Sequence, residues 1–114
     1  MKSKIVALSK NQDFKNLLKE RKISNKYLTI YFGKLLNKDN KKLNISFVVA
    51  KKKLGNAVNR NKIKRRLRNI MNEAVKEISL NLNYSYLVIA KITVLNEKYT
   101  IIKQTLFADF KTIK

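Results

Sequence analysis

The sequence predicts an α/β chain, an α+β sandwich in which helices cover a small, mostly antiparallel sheet of about four strands. Three observations predict it. Segments 26–32, 43–50 and 84–91 are rich in β-branched and aromatic residues, and the first two alternate between two kinds of face. Apolar residues recur at spacings of three and four between 57 and 79, and again between 96 and 113. The order strand, long helix, strand from 43 to 91 then implies a crossover unit holding one parallel strand pair. A chain of 114 residues fits a single domain, 1–114, with one core.

Taken in order, Ser9 with Gln12 three residues on forms a capping box, and Phe14, Leu17 and Leu18 then share one side, predicting a helix over about 10–21. In "KYLTIYF", Tyr27, Thr29 and Tyr31 alternate with Leu28, Ile30 and Phe32, so one strand face serves the core and the other is free to act as a platform. After the turn formers of "GKLLNKDNKK", Leu43, Ile45, Phe47 and Val49 alternate with Asn44, Ser46, Val48 and Ala50, and a hairpin with the preceding strand is the economical reading. Ile63, Leu67, Ile70, Met71, Ala74 and Ile78 mark the core side of the long helix 57–79. "YSYLVIAK" is a further strand, and Ile102, Leu106, Phe110 and Ile113 line a closing helix for which Asn96 is the candidate cap.

Composition narrows the function. There are 27 Lys or Arg against seven Asp or Glu, a formal charge of +20, at which self-repulsion opposes compactness unless a polyanion is the usual neighbour. The chain has no Cys and no His, which removes disulfides, cysteine- or histidine-ligated metals and a neutral-pH base. The acids, Asp13, Glu20, Asp39, Glu73, Glu77, Glu97 and Asp109, are scattered, and the Glu73–Glu77 pair at helical spacing reads as a solvated face rather than a two-metal nuclease site. No catalytic or metal-ligating residue is assigned. The apolar runs are too short to span a membrane, and the apolar part of "MKSKIVALSKNQ" is too short for a secretory signal, so a cytoplasmic address is expected.

The charge concentrates in "KKKLGNAVNRNKIKRRLRN", residues 51–69, where Lys51, Lys52, Lys53, Arg60, Lys62, Lys64, Arg65, Arg66 and Arg68 meet no acid. On the predicted helix Arg60, Lys64 and Arg68 recur every four residues with Asn61 and Arg65 alongside. Like charges at that spacing cost roughly 0.2–0.5 kcal/mol per pair, and cations near a helix N-terminus oppose its dipole. A local rule broken so consistently marks residues held in place by function. A basic run in a Lys-rich chain is ordinarily a solvated face, but four of the five Arg lie between 60 and 68, and the guanidinium fork matches phosphate oxygens in two parallel hydrogen bonds. Gly55 would turn the chain tightly into the helix, whose first amides attract anions. A strand and a Gly turn precede this helix where a helix-turn-helix DNA reader would have a second helix, so RNA, not DNA, is the expected partner.

These residues carry a resemblance. "KKLGNAVNRNKIKRRLR" resembles the signature of the bacterial ribonuclease P protein family, and "DFKNLL", "NKYLTIYF", "ISFVVAKK" and "YSYLVIAK" follow its order of elements, covering about residues 5–110. The resemblance implies a compact domain of order αβββαβα with a left-handed βαβ crossover, bound to a large catalytic RNA that removes the 5′ leader of precursor tRNA. In that family the catalytic groups lie in the RNA, which holds most of the magnesium, and the protein grips the leader and broadens the substrate range. By matching position, Arg60, Asn61, Lys62, Lys64, Arg65 and Arg68, with Lys52 and Lys53, are the implied RNA-binding residues, and Phe14, Leu18 and Tyr31 line the implied leader cleft. Lys62 replaces the usual second Arg and so lacks its fork, and Leu18 stands where the family often has an aromatic. The alternative is another small basic RNA-binding protein such as a ribosomal protein. An autonomous nuclease lacks a catalytic constellation, and a membrane-surface protein would need the apolar helix faces that the core requires.

Overall fold

The structure is a computed structural model that describes residues 5–6, 11–34, 42–49, 57–78, 80–91 and 93–113. Its elements are β1 (Ile5–Val6), α1 (Asn11–Leu17), β2 (Arg21–Ser24), β3 (Leu28–Gly33), β4 (Leu43–Val49), α2 (Ala57–Glu77), β5 (Ser85–Ala90), α3 (Thr93–Asn96) and α4 (Tyr99–Thr112). One mixed sheet runs in the order β1-β4-β5-β3-β2. β5 lies parallel to β4 and antiparallel to β3, and β2 and β3 form the antiparallel hairpin. The expected open sheet with its β4–β5 parallel pair is therefore present, extended at one edge by the two-residue β1 parallel to β4.

The hairpin expected between segments 26–32 and 43–50 does not form, because β5 lies between them. Five of the six residues of "SYLVIA" are buried, so this strand needs neighbours on both edges and cover on both faces. The predicted helix over 10–21 ends earlier, at Leu17, where Lys19 N–H bonds Asn16 O and Glu20 N–H bonds Leu17 O in a tightened last turn. Residues 21–24 leave the helix for β2. The Asn25 side chain makes the following reversal, its Oδ1 accepting from Tyr27 N at 2.8 Å and Leu28 N at 3.1 Å. That turn sends Tyr27 into the core, away from the face of Thr29 and Tyr31 that simple alternation had given it. Ser9 of the predicted capping box lies outside the described residues.

Pairing register sorts the sheet into two faces. Ile45, Tyr86, Phe32 and Arg21 form one row, and Phe47, Val88, Ile30 and Ile23 the next. This face carries the core, closed by Ile63, Leu67, Ile70, Met71 and Ala74 of α2 and by Ile102, Leu106 and Phe110 of α4, the two stripes read from periodicity. Edge-to-face rings continue through it, Phe32 to Tyr84 at 5.7 Å, Tyr84 to Tyr86 at 6.4 Å and Tyr86 to Phe110 at 5.2 Å between centroids. Asn96 does not cap α4: it ends the short α3, and Lys98 occupies the N-cap position with no side-chain cap bond.

α1 covers the opposite face. A Cβ on Gly33, which would project to that side, would come within 2.6 Å of Glu20 Cγ in the turn after α1. Leu17 and Leu87 are both buried yet belong to no part of the main core, and they lie on this second face. Among the described residues α1 is the helix on this face, and Val48, Thr29 and Ile89 of the same face keep part of their surface accessible.

Candidate nucleic-acid interface

α2 positions the basic residues. With the helix held by Ile63, Leu67 and Ile70, Arg60, Lys64 and Arg68 fall on one line beside the core stripe, with Asn61 and Arg65 on its outer flank. Asn61, Lys62, Arg65 and Arg68 are exposed and Arg60 and Lys64 half-buried. The ion pairs recorded among the described residues are Lys103 with Glu73 and with Glu77, so no carboxylate there neutralises this line. Two cations of the basic segment lie off this line. Lys62 follows Arg60 by about 200° of helix rotation and points to the other flank. Arg66 also turns away: its Nη1 donates to Val94 O at 2.7 Å and Glu97 O at 3.0 Å, closing the carbonyl end of α3. The clustering of four Arg thus overstates the phosphate-facing set by one. Lys51, Lys52, Lys53 and Gly55 lie outside the described residues.

Beside this line a groove of about 500 Å³ wraps the edge of β4, lined by Ile5, Phe14, Ile45, Ser46, Phe47, Val48, Lys64 and Arg68. Among the described residues β1 pairs with Leu43 and Asn44 and not with this stretch of β4. Phe14 of α1 is half-buried and faces the groove, whereas Leu17 packs inward. Leu18 is 48% exposed and Tyr31 half-buried, and neither lines the groove. Tyr31 lies farther across the sheet, opposite Leu87 on one side and Lys22 on the other. Lys22 Nζ is 5.9 Å from its ring centroid.

Glu73 and Glu77 project from the far half of α2, where Lys103 Nζ of α4 sits 2.9 Å from Glu73 Oε2 and 3.4 Å from Glu77 Oε2. The pair thus joins two helices through a shared ammonium. Among the described residues no group of three or more His, Cys, Asp or Glu could hold a metal ion, and no helix is long and apolar enough to cross a membrane.

Residues 3–114 match the family model for ribonuclease P. The chain belongs to the ribonuclease P protein family. It is 33% identical over 110 residues to the ribonuclease P protein component of Carboxydothermus hydrogenoformans, covering 94% of this chain and 90% of that one. It is also 33% identical to that of Mycoplasma capricolum, over the full length of both. The ribonuclease P protein of Staphylococcus aureus superposes with a TM-score of 0.76 at 29% identity, covering 95% of this chain and 94% of that chain. That of Thermotoga maritima shares the fold, with a TM-score of 0.78 at 23% identity, covering 96% and 98%. The chain is thus a protein subunit of an enzyme that works with an RNA subunit in tRNA 5′-end processing, and the ribosomal-protein alternative is not favoured.

Within this ribonuclease P protein, sequence reasoning missed three contributors. Phe47, read only as one residue of an alternating strand, packs against the core and also lines the groove. Lys22, just past the predicted helix 10–21, stands beside the Tyr31 ring. Arg21, the one Arg outside the cluster, donates from Nη2 to Tyr84 Oη at 2.9 Å and lies 5.1 Å over the Phe32 ring. Its isolation from the basic segment was the available signal that it serves the fold.

Proposed function

We propose that this chain docks on the catalytic RNA through Arg60, Asn61, Lys64, Arg65 and Arg68, and holds the 5′ leader of precursor tRNA against Phe14, Tyr31 and the open sheet face. The observation that carries the reading is the line of cations on α2 that meets no carboxylate among the described residues and runs into the groove holding Phe14. Guanidinium forks of Arg60, Arg65 and Arg68 suit paired phosphate oxygens, and aromatic rings accept bases of any sequence. Lys52 and Lys53 would add charge where the chain enters α2, and Lys62 would reach phosphates only from the opposite flank. Leu18 would offer the leader apolar contact without stacking.

The chemistry then belongs to the RNA. Among the described residues the close carboxylate pair, Glu73 and Glu77, already shares Lys103, and we assign magnesium mainly to the RNA subunit. The cations of α2 lower the repulsion between two RNAs, and so the magnesium needed to bring them together. The test is 5′ processing of labelled precursor tRNA at low magnesium with RNA alone, protein alone and both. Cleavage only with both is expected; cleavage by protein alone would overturn the reading.

A further inference from the structure

α1 lies across the strands of the second face. Phe14 stands at the groove beside β4, and the helix contacts β5 and β3. Three residues of helix advance about 4.5 Å, close to the roughly 4.8 Å between neighbouring strands. Phe14, Leu17 and Glu20 therefore fall over successive strands: Phe14 by β4, Leu17 buried over β5, and Glu20, in the turn after the helix, over Gly33 of β3.

Backbone bonds make this stretch one stiff unit. Leu18 N–H donates to Phe14 O at 3.1 Å, Lys19 N–H to Asn16 O at 3.2 Å and Glu20 N–H to Leu17 O at 3.0 Å. Leu17 is fully buried, so it is the fixed point, with Phe14 on one arm and Glu20 on the other. A push that lifts Glu20 tilts Phe14.

Gly33 sits where that push would come from. Its φ lies outside the left-handed region, so the backbone there does not require glycine; the space does. A Cβ would lie 2.6 Å from Glu20 Cγ and 3.0 Å from both Glu20 Cβ and Cδ, against the roughly 3.5–4.0 Å at which carbon atoms rest. Glu20 is exposed, and its Cγ and Cδ can swing aside. Its Cβ is fixed to the backbone, so the turn itself would have to rise.

We infer that Gly33 is a positioning residue for the leader groove: its missing side chain seats the turn after α1 on β3, and thereby sets where Phe14 stands relative to β4. The inference rests on the leader reading above. A glycine that served only to end a strand would affect stability and leave substrate choice alone.

The experiment uses protein reconstituted with its catalytic RNA, and compares its affinities for precursor and mature tRNA. Gly33→Ala should lower precursor affinity about three- to tenfold, part of what one stacked base supplies. Mature tRNA affinity and the salt slope of catalytic-RNA binding should not change. Adding Glu20→Gly to Gly33→Ala removes the clash and should return the precursor-to-mature ratio to within about twofold of wild type. Taking the ratio cancels the uniform gain in RNA affinity expected from losing one carboxylate. A ratio unchanged by Gly33→Ala, or lowered and not restored by the second substitution, overturns the role of Gly33 while the leader reading stands. Loss of catalytic-RNA binding together with both substrates would mark a folding defect, and it too overturns that role. If the wild-type complex binds precursor and mature tRNA equally, both readings fall together.

Discussion

Arg66 Nη1 donates to the backbone carbonyl of Val94 at 2.7 Å, tying the middle of α2 to the short helix before α4. The same nitrogen reaches Glu97 O at 3.0 Å. One residue earlier, Arg65 is exposed on the outward flank. Two adjacent arginines of the signature segment therefore do different work, one in the fold and one at the surface.

Arg66→Met should cost about 1.5–3 kcal/mol, since it strips a charged donor from two carbonyls. The salt slope of RNA binding should stay unchanged. Arg65→Ala should leave stability within about 0.5 kcal/mol and flatten that slope by about one. Urea denaturation and binding to the catalytic RNA across a salt series check both, and a flattened slope for Arg66→Met would put it back at the interface.

Tyr31→Ala should weaken precursor tRNA by about 1–3 kcal/mol, the range for loss of one stacked base. Mature tRNA, which lacks the leader, should change little. Parallel affinity measurements with the reconstituted complex decide this, and equal losses would remove Tyr31 from the leader path.

Two carboxylates give opposite pH dependences. The Lys98 backbone N–H, and then the Tyr27 hydroxyl at 3.0 Å, hold Glu97 below the usual carboxylate range. Its folded pKa is depressed, so its contribution is present above the unfolded pKa and lost as pH falls through the folded value. Burial pushes Asp109 up, against the opposing Asn25 Nδ2 bond at 2.6 Å. Its contribution is full below the unfolded pKa and lost as pH rises through the folded one. Glu97→Gln should therefore flatten the acid limb of stability, and Asp109→Asn should flatten the decline just above the ordinary carboxylate range. Urea midpoints measured from about pH 3 to 7 test both slopes.

Phe110→Ala should cost about 3–5 kcal/mol. Its ring is buried and lies 5.2 Å from that of Tyr86, between α4 and the central strand. Chemical denaturation reads the loss directly.

The amphipathic stripes of α2 and α4 and the two-faced strands were legible because burial on one side leaves a period in the sequence, and that period survives whatever the neighbour is. The basic line Arg60, Lys64 and Arg68 was legible for the same reason. Where Phe14 and Tyr31 stand relative to it was not, since no period relates α1 to β4 or β3. Nor could the β2 strand be read, because the Arg21–Tyr84 contact that holds it joins residues far apart in the chain.

The sequence by itself determined the polyanion partner, the absence of His and Cys chemistry, the α/β class and the helix that carries the charge, because composition and local spacing suffice for each. Only the tertiary structure decided that β5 separates β3 from β4, that Arg66 bonds the carbonyl end of α3, and that Lys22 stands beside the Tyr31 ring. Strand order and the direction of a long side chain depend on which distant group buries or bonds it, and that information enters only when the chain closes on itself.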